Sequence, residues 1–229
     1  MLVIALFMVT ALSKDRPANS TDDGAQATSI ITPESLPPLT PELADRVQAL
    51  GDEIARLDES ARIEKQRELV RLLYTEGRLD WASFEQRNIA GLYNKTEDWK
   101  RTGNLFYDWM ETLSDQDQRK PQVAQQAIMA YQRYLEVHPN DLDVRTDMAT
   151  AYLATNAPMQ GVTEIKRVLD ADSTHIKARF NYGVMLWWIS RTDQAVEQFE
   201  KVKAMVGPDS EYYQQAEEAI RTLQAGATM

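Results

Sequence analysis

The C-terminal half of the chain repeats itself at an interval of 34 residues, and this period constrains the fold more than any other feature of the sequence. Small and apolar residues align in three successive copies. The matched positions are Ala127, Gly161 and Ala195, then Tyr131, Ile165 and Phe199, then Tyr134, Val168 and Val202. The register holds without a gap from Gln122 to Asp209. A unit of this length buries its second face only against a neighbouring copy, so the sequence predicts a stacked array.

Each copy has the pattern of two amphipathic helices joined by a turn. In the last copy, the pattern predicts a first helix from Ile176 to Ile189 and a second from Gln194 to Val206, ended by Gly207 and Pro208. Gly183 and Ala195 are small, and we expect the two helices to cross there. A further helix from Glu211 to Leu223 would cap the array.

The period and its flanks divide the chain into consecutive segments. We predict a hydrophobic signal or anchor segment at 1–12, a disordered tether rich in Pro, Ser, Thr and Asp at 13–41, an amphipathic helix at 42–61, a degenerate repeat at 62–96, a repeat with a 12-residue insertion at 97–141, regular repeats at 142–175 and 176–209, and a capping helix at 210–226. The insertion predicts a longer first helix and a polar loop around residues 111–122.

The copies resemble the tetratricopeptide-repeat (TPR) family. The residues that carry the resemblance are Trp99, Gly103, Phe106, Ala127, Tyr131 and Pro139. The resemblance implies an all-α fold, a right-handed α-α superhelix with a capping helix. It also implies a non-catalytic scaffold that binds a segment of another protein in its concave groove, which is lined by the first helices of successive repeats.

The N-terminal segment points to the bacterial cell envelope. Residues 1–12 contain one polar residue, Thr10, and are too few to span a bilayer, but their number suits the hydrophobic region of a signal peptide. No basic residue precedes them, so the true start of an anchor could lie further upstream. We expect a membrane-anchored or periplasmic protein, with a cytoplasmic protein as the alternative.

Apolar residues also follow a helical spacing just after the predicted tether, from Leu43 to Ala61. This stripe favours a helix packed on its own domain. The alternative is a coiled-coil seam, through which the chain would act as a self-associating structural protein.

The composition argues against an enzyme, because residues typical of catalytic and metal sites are few. The chain has no cysteine and two histidines, His138 and His175, both in predicted turns. No phosphate-binding glycine loop or spaced metal cluster occurs, so we predict no catalytic residue, cofactor or metal. Carboxylate pairs such as Asp170 with Asp172, or Glu217 with Glu218, are those expected by chance among 35 acids. The net charge of −10 disfavours nucleic acid as a partner.

The resemblance implies which side chains face the groove. They are Lys100, Asn104, Tyr107, Thr146, Thr150, Leu153, Lys177, Phe180, Asn181, Val184, Trp187 and Trp188. Trp187 and Trp188 are adjacent on one helix and therefore cannot be equally buried.

Chaperone-binding members of the family suggest a narrower hypothesis, a clamp for a peptide's C-terminal carboxylate. Lys100, Asn104 and Lys177 occupy matching places. Asp147 stands where the family has Asn, and Asn181 where it has a basic residue, and an acid repels an anion. These departures weigh against the clamp.

Two stretches, residues 144–147 and 157–161, are similar to a subset of envelope-tethered bacterial TPR proteins. Some members of that subset are assembly factors for c-type cytochromes. The resemblance makes assembly of such cytochromes, or of another envelope complex, an alternative function.

Overall fold

The computed structural model describes residues 31–226, which form ten α-helices, two short 3₁₀ helices and no strand. The all-α solenoid predicted from the sequence is confirmed. The chain divides into two compact units between Asn94 and Lys95. Between Ile31 and Gly226, no helix combines the length and the apolar character needed to cross a bilayer. The predicted anchor at 1–12 lies outside the described residues.

The first unit contains α1 (Pro41–Ile54), α2 (Glu59–Thr75) and α3 (Leu79–Tyr93), each packed on the next. The hydroxyl of Thr40 caps α1 by accepting from the Leu43 amide. Leu43 and Val47 are buried within this unit, so these two side chains are not available for a coiled-coil seam.

The first helix is shorter than the stripe of apolar residues predicts. It ends at Ile54, and the carboxylate of Asp58 begins α2 by accepting a hydrogen bond from the Ala61 amide. Leu57 and Ala61 therefore lie outside α1, because a good capping residue interrupts an otherwise continuous apolar spacing.

The end of the predicted tether is packed rather than extended in solvent. Ile31 and Leu36 are buried, and Arg78 donates hydrogen bonds to the carbonyl oxygens of Pro37 (2.5 Å) and Pro38 (2.9 Å). Trp81 donates its indole N–H to the Pro37 carbonyl at 3.1 Å. The prediction of a disordered tether to residue 41 is thus wrong for residues 31–41, because the stabilising partners lie about forty residues away, at the start of α3, and leave no local signal. We call residues 31–40 the strap.

The second unit contains seven helices. They are α4 (Thr96–Thr112), α5 (Lys120–Leu135), α6 (Leu142–Ala151), α7 (Pro158–Ala171), α8 (Ile176–Trp188), α9 (Thr192–Met205) and α10 (Glu211–Gln224). A 3₁₀ turn, Tyr152–Ala154, extends α6. The helix pairs α4–α5, α6–α7 and α8–α9 fall within the predicted repeats, and α10 follows as the predicted cap.

Contacts between helices show which side of the second unit is concave. Each helix packs on the next, and the first helices also contact each other in succession, α4 with α6, α6 with α8, and α8 with α10. Successive second helices make at most slight contact. First helices therefore line the inner side of the curve, and second helices the outer side.

Glycines permit the closest helix crossings in this unit. A Cβ on Gly183 would lie 2.7 Å from the ring of Phe199, and one on Gly103 would clash with the ring of Tyr131. A Cβ on Gly161 would clash with the backbone oxygen of Ala149. The crossing predicted at Gly183 and Ala195 is therefore present, with Ala195 fully buried.

Candidate functional site

The insertion lengthens both helices of one repeat and adds an ordered loop. α4 has 17 residues where α6 has 10. α5 begins at Lys120, nearly two turns before Ala127, whereas α7 begins within one turn of Gly161. The longer first helix and the polar loop agree with the sequence prediction, and the extra turn at the start of α5 is new.

Ion pairs order the polar loop between α4 and α5. Arg119 donates to both carboxylate oxygens of Asp117, at 3.0 and 2.7 Å, and lowers the pKa of that carboxyl to about 2. Lys120 contacts Asp115 at 2.6 Å. These ion pairs join the loop to the start of α5.

An open cleft of about 850 Å³ lies between this extended repeat and the two regular repeats that follow. One wall comes from the insertion and the helix ends beside it, and the other from α6, its 3₁₀ turn and α8. The lining residues are Met110, Glu111, Asp115, Lys120, Pro121, Thr150, Leu153, Ala154, Thr155, Val184 and Trp188.

Four of the predicted groove residues line this cleft, namely Thr150, Leu153, Val184 and Trp188. Trp188 is the most open of them, with 52% of its surface exposed. The remaining lining residues were missed by the family pattern, because the insertion and the 3₁₀ turn have no counterpart in it. The 12 extra residues were the signal that could have located them.

Two other predicted groove residues pack against neighbouring helices, one of them fully buried and the other partly. Thr146 is fully buried, and its hydroxyl donates to the Leu142 carbonyl at 2.7 Å. The ring of Phe180 packs on Phe199 (5.4 Å between centroids) and on Tyr212 of the capping helix (5.7 Å). The prediction of a groove role is wrong for Thr146, whereas Phe180 is only partly buried and its ring contributes to the contact between α8, α9 and α10.

The two adjacent tryptophans separate as their helical positions require. Trp187 is partly buried against the apolar cluster that includes Leu186 and Phe199. Trp188 turns to the cleft. Trp188 is therefore the tryptophan that the cleft presents to solvent.

Both lysines of the suggested carboxylate clamp are paired within the unit. Lys100 contacts Asp141 at 2.9 Å, and Lys177 contacts Asp147 at 2.6 Å. Asp141 raises the pKa of Lys100 through this hydrogen bond. Cations that already hold a carboxylate are poor receptors for a second one, so the contacts disfavour the clamp.

The two asparagines of the clamp are also engaged. Asn104 accepts from the Tyr131 hydroxyl at 3.1 Å, and Asn181 donates to the Thr150 hydroxyl at 2.8 Å. Tyr107 interacts with Thr150 as well, and burial together with Glu111 and Asp147 raises the pKa of its phenol. The contacts of Thr150 join α4 and α8 to α6, and the contact of Asn104 joins α4 to α5.

Carboxylates dominate the electrostatics of the inner face. Burial, followed by the negative charge of Asp147, raises the pKa of Asp108. Burial also raises the pKa of Glu111, with Asp115 and Asp108 adding to the effect and Lys120 opposing it. The pKa of Asp147 is raised by burial despite its contact with Lys177. The face thus carries negative charge that its own lysines do not fully balance.

The histidines lie in turns, as the sequence predicts. His175 caps α8 by accepting from the Ala178 amide at 3.2 Å, and His138 stacks on Tyr134 with 4.7 Å between ring centroids. Within residues 31–226, no three His, Asp or Glu side chains are placed to share a metal ion.

Known proteins resemble this chain in fold. No family model and no curated protein sequence matches it. Among solved structures, MamA from Desulfovibrio magneticus RS-1 (residues 41 to the end) matches with a TM-score of 0.54 and 17% identity, over 72% of this chain and 86% of that one. Another MamA crystal structure matches with a TM-score of 0.52 and 15% identity, over 72% and 88%. YrrB, described as a TPR protein with an unusual peptide-binding site, gives 0.47 and 15%, over 78% and 90%.

The two MamA structures are TPR proteins, and the likeness to them extends over most of both chains. At these identities the likeness establishes the fold alone. The fold is the TPR solenoid that the family resemblance implies.

Proposed function

We propose that this TPR solenoid is a non-catalytic scaffold that binds a segment of another protein in the cleft between α4, α6 and α8. The observation that carries the proposal is the cleft itself. It is open to solvent, holds about 850 Å³, and presents a half-exposed tryptophan beside the apolar side chains of Leu153 and Val184. Exposed aromatic residues in a concave site are the usual anchors of protein recognition.

The rigidity of the cleft supports this function. Hydrogen bonds between first helices, such as Asn181 to Thr150, hold one wall, and the ion pairs of Asp117 with Arg119 and Asp115 with Lys120 hold the other. A preformed site loses little conformational entropy on binding. A peptide segment would therefore meet a surface that is already in place.

Site-specific photo-crosslinking tests this proposal. Trp188 is replaced by the photoreactive amino acid p-benzoylphenylalanine in the full chain, and cells are irradiated. Met159 on the second helix α7 is the matched control position, because it is 55% exposed but lies on the outer side. We expect a protein adduct from position 188 and none from position 159. Equal adducts at both positions, or none at either, would contradict a groove-binding role.

We further propose that the chain is tethered to the bacterial cell envelope through its N-terminal segment. The support is sequence alone: twelve residues with a single polar member precede a segment rich in Pro, Ser, Thr and Asp. Fractionation of cells that express the full chain, beside a variant lacking residues 2–12, tests it. We expect the full chain with the membranes and the shortened chain in the soluble fraction, and the same fraction for both would refute tethering.

A further inference from the structure

We infer that the segment bound in the cleft is cationic and places a large apolar side chain against Trp188 and a lysine or arginine beside Glu111 and Asp108. This inference rests on the proposed groove-binding function and adds the chemistry of the partner. It follows from the two kinds of surface that the cleft brings together.

The floor of the cleft is apolar. Met110 and Pro121 come from the extended repeat, and Leu153, Val184 and Trp188 come from the regular ones. With 52% of its surface exposed, Trp188 offers apolar area to a ligand. Burial of an apolar side chain on this floor would remove apolar area from both partners.

The α4 side of the cleft, which we call its rim, is acidic: Glu111 lines the cleft, and Asp108 lies outside the lining on the helix face that leads to it. Asp108 and Glu111 lie one turn apart on the same face of α4, and both are exposed. Among the described residues, neither has an ion-pair partner, whereas the lysines nearby are already paired, Lys120 with Asp115 and Lys177 with Asp147. Two negative charges at the rim are therefore left without a cation.

The surroundings make this arrangement costly without a partner. Like charges three residues apart on a helix repel each other. Partial desolvation is the main cause of the raised pKa of both carboxyls, and neighbouring acids add to it, Asp147 for Asp108, and Asp115 and Asp108 for Glu111, where Lys120 opposes them. A lysine or arginine of the partner would relieve the repulsion, whereas an acidic or phosphorylated segment would add to it. The net charge of −10 also favours encounter with a cationic partner.

Selection from a library of random displayed peptides tests the inference. Four immobilised forms of the full chain are compared. They are the parent, Asp108→Asn with Glu111→Gln, Trp188→Ser, and the control Glu136→Gln with Asp170→Asn, which makes the same change of charge at exposed positions of the outer helices. Circular dichroism verifies that all four are folded.

We expect the parent and the control to enrich peptides that contain Lys or Arg near a large apolar residue. The neutralised variant should lose the Lys and Arg enrichment. In fluorescence anisotropy, one enriched peptide should bind this variant about tenfold more weakly at about 0.05 M NaCl, and the difference should shrink at about 0.5 M.

Two results would overturn the inference in distinguishable ways. Peptides that depend on Trp188 but lack basic residues, or that bind the neutralised variant equally well, would remove the cationic partner and leave the groove function intact. Peptides that bind the Trp188→Ser variant as well as the parent, or no enrichment by any form, would refute the groove function together with the inference.

Discussion

The crossings of α4 with α5 and of α8 with α9 are built alike, although the repeats around them differ in length. In each, a glycine of the first helix faces an aromatic ring of the second, Gly103 against Tyr131 and Gly183 against Phe199. The repeats diverge only beyond the crossing, where α4 continues to Thr112 and forms a wall of the cleft. Packing is thus set at the crossing, and helix ends can be lengthened into a binding surface without disturbing the core.

In the third crossing, α6 with α7, the glycine faces the backbone of the other helix instead of an aromatic ring. A Cβ on Gly161 would meet the backbone oxygen of Ala149, which cannot rotate away, whereas at Gly103 it would meet the movable ring of Tyr131. We expect Gly161→Ala to lower the free energy of unfolding by about 3 kcal/mol and Gly103→Ala by about 2 kcal/mol, measured by urea denaturation.

Gly91 provides the control for these two substitutions. It lies on α3, is exposed, and has no atom within 4 Å of an added Cβ. Gly91→Ala should therefore raise the free energy of unfolding by about 0.5–1 kcal/mol, since alanine is the better helix former. A larger loss at Gly103 than at Gly161 would show that the aromatic crossings are the rigid ones and would reverse the comparison.

Glu85 on α3 contrasts with the two acids of the extended repeat. Its side chain is buried, whereas those of Asp108 and Glu111 are exposed. Burial raises the pKa of Glu85 from 4.5 to about 7. The folded state then favours the protonated form, so stability falls as pH rises through this interval. The loss is at most about 3 kcal/mol.

Urea denaturation at a series of pH values measures this effect. We expect Glu85→Gln to remove the loss between about pH 4.5 and 7, so that the variant becomes the more stable form at neutral pH. Curves that stay parallel for the parent and the variant would show that this carboxyl has an ordinary pKa in the fold.

The adjacent tryptophans sharpen the distinction between the core and the cleft. Trp187 packs on the cluster with Leu186 and Phe199, while Trp188 is 52% exposed. We expect Trp187→Ala to cost about 2 kcal/mol of stability and Trp188→Ala about 0.5 kcal/mol or less. Thermal unfolding followed by circular dichroism measures both, and equal losses would place Trp188 in the core.

The smallest effect is expected at the acidic rim. Because their pKa values are raised in the fold, Asp108 and Glu111 destabilise it when ionised. Asp108→Asn with Glu111→Gln should therefore raise the free energy of unfolding at neutral pH by about 0.5 kcal/mol or less, since solvent screens exposed charges. The gain should disappear as pH falls toward the ordinary pKa of the carboxyls. A loss of stability in urea denaturation would mean that the two acids hold the repeat together.

The frame of the second unit was predictable because each matched position of the repeat is a packing position. Ala127, Ile165 and Phe199 are all fully buried. The cleft was only partly predictable. Helical periodicity assigns Phe180 to the inner face, but it cannot show that Tyr212 of the capping helix covers it.

Two other features had no signal in the repeat. The cleft wall around Glu111 and Lys120 comes from an insertion that the other copies lack, so no alignment within the chain could orient it. The strap was missed because its hydrogen bonds join Pro37 to Arg78 and Trp81, and composition within a short window does not report contacts at that separation.

The strap has a mechanical consequence. Tension applied to the chain before Ile31 would load the buried side chains of Ile31 and Leu36 and then the hydrogen bonds from Arg78 and Trp81 to the prolines of the strap. While these contacts hold, part of the pull passes into the start of α3, and α1, which follows the strap in sequence, carries less of it. The contact thus shields α1 from part of the applied force. The strap contacts would have to break before the full force reached α1.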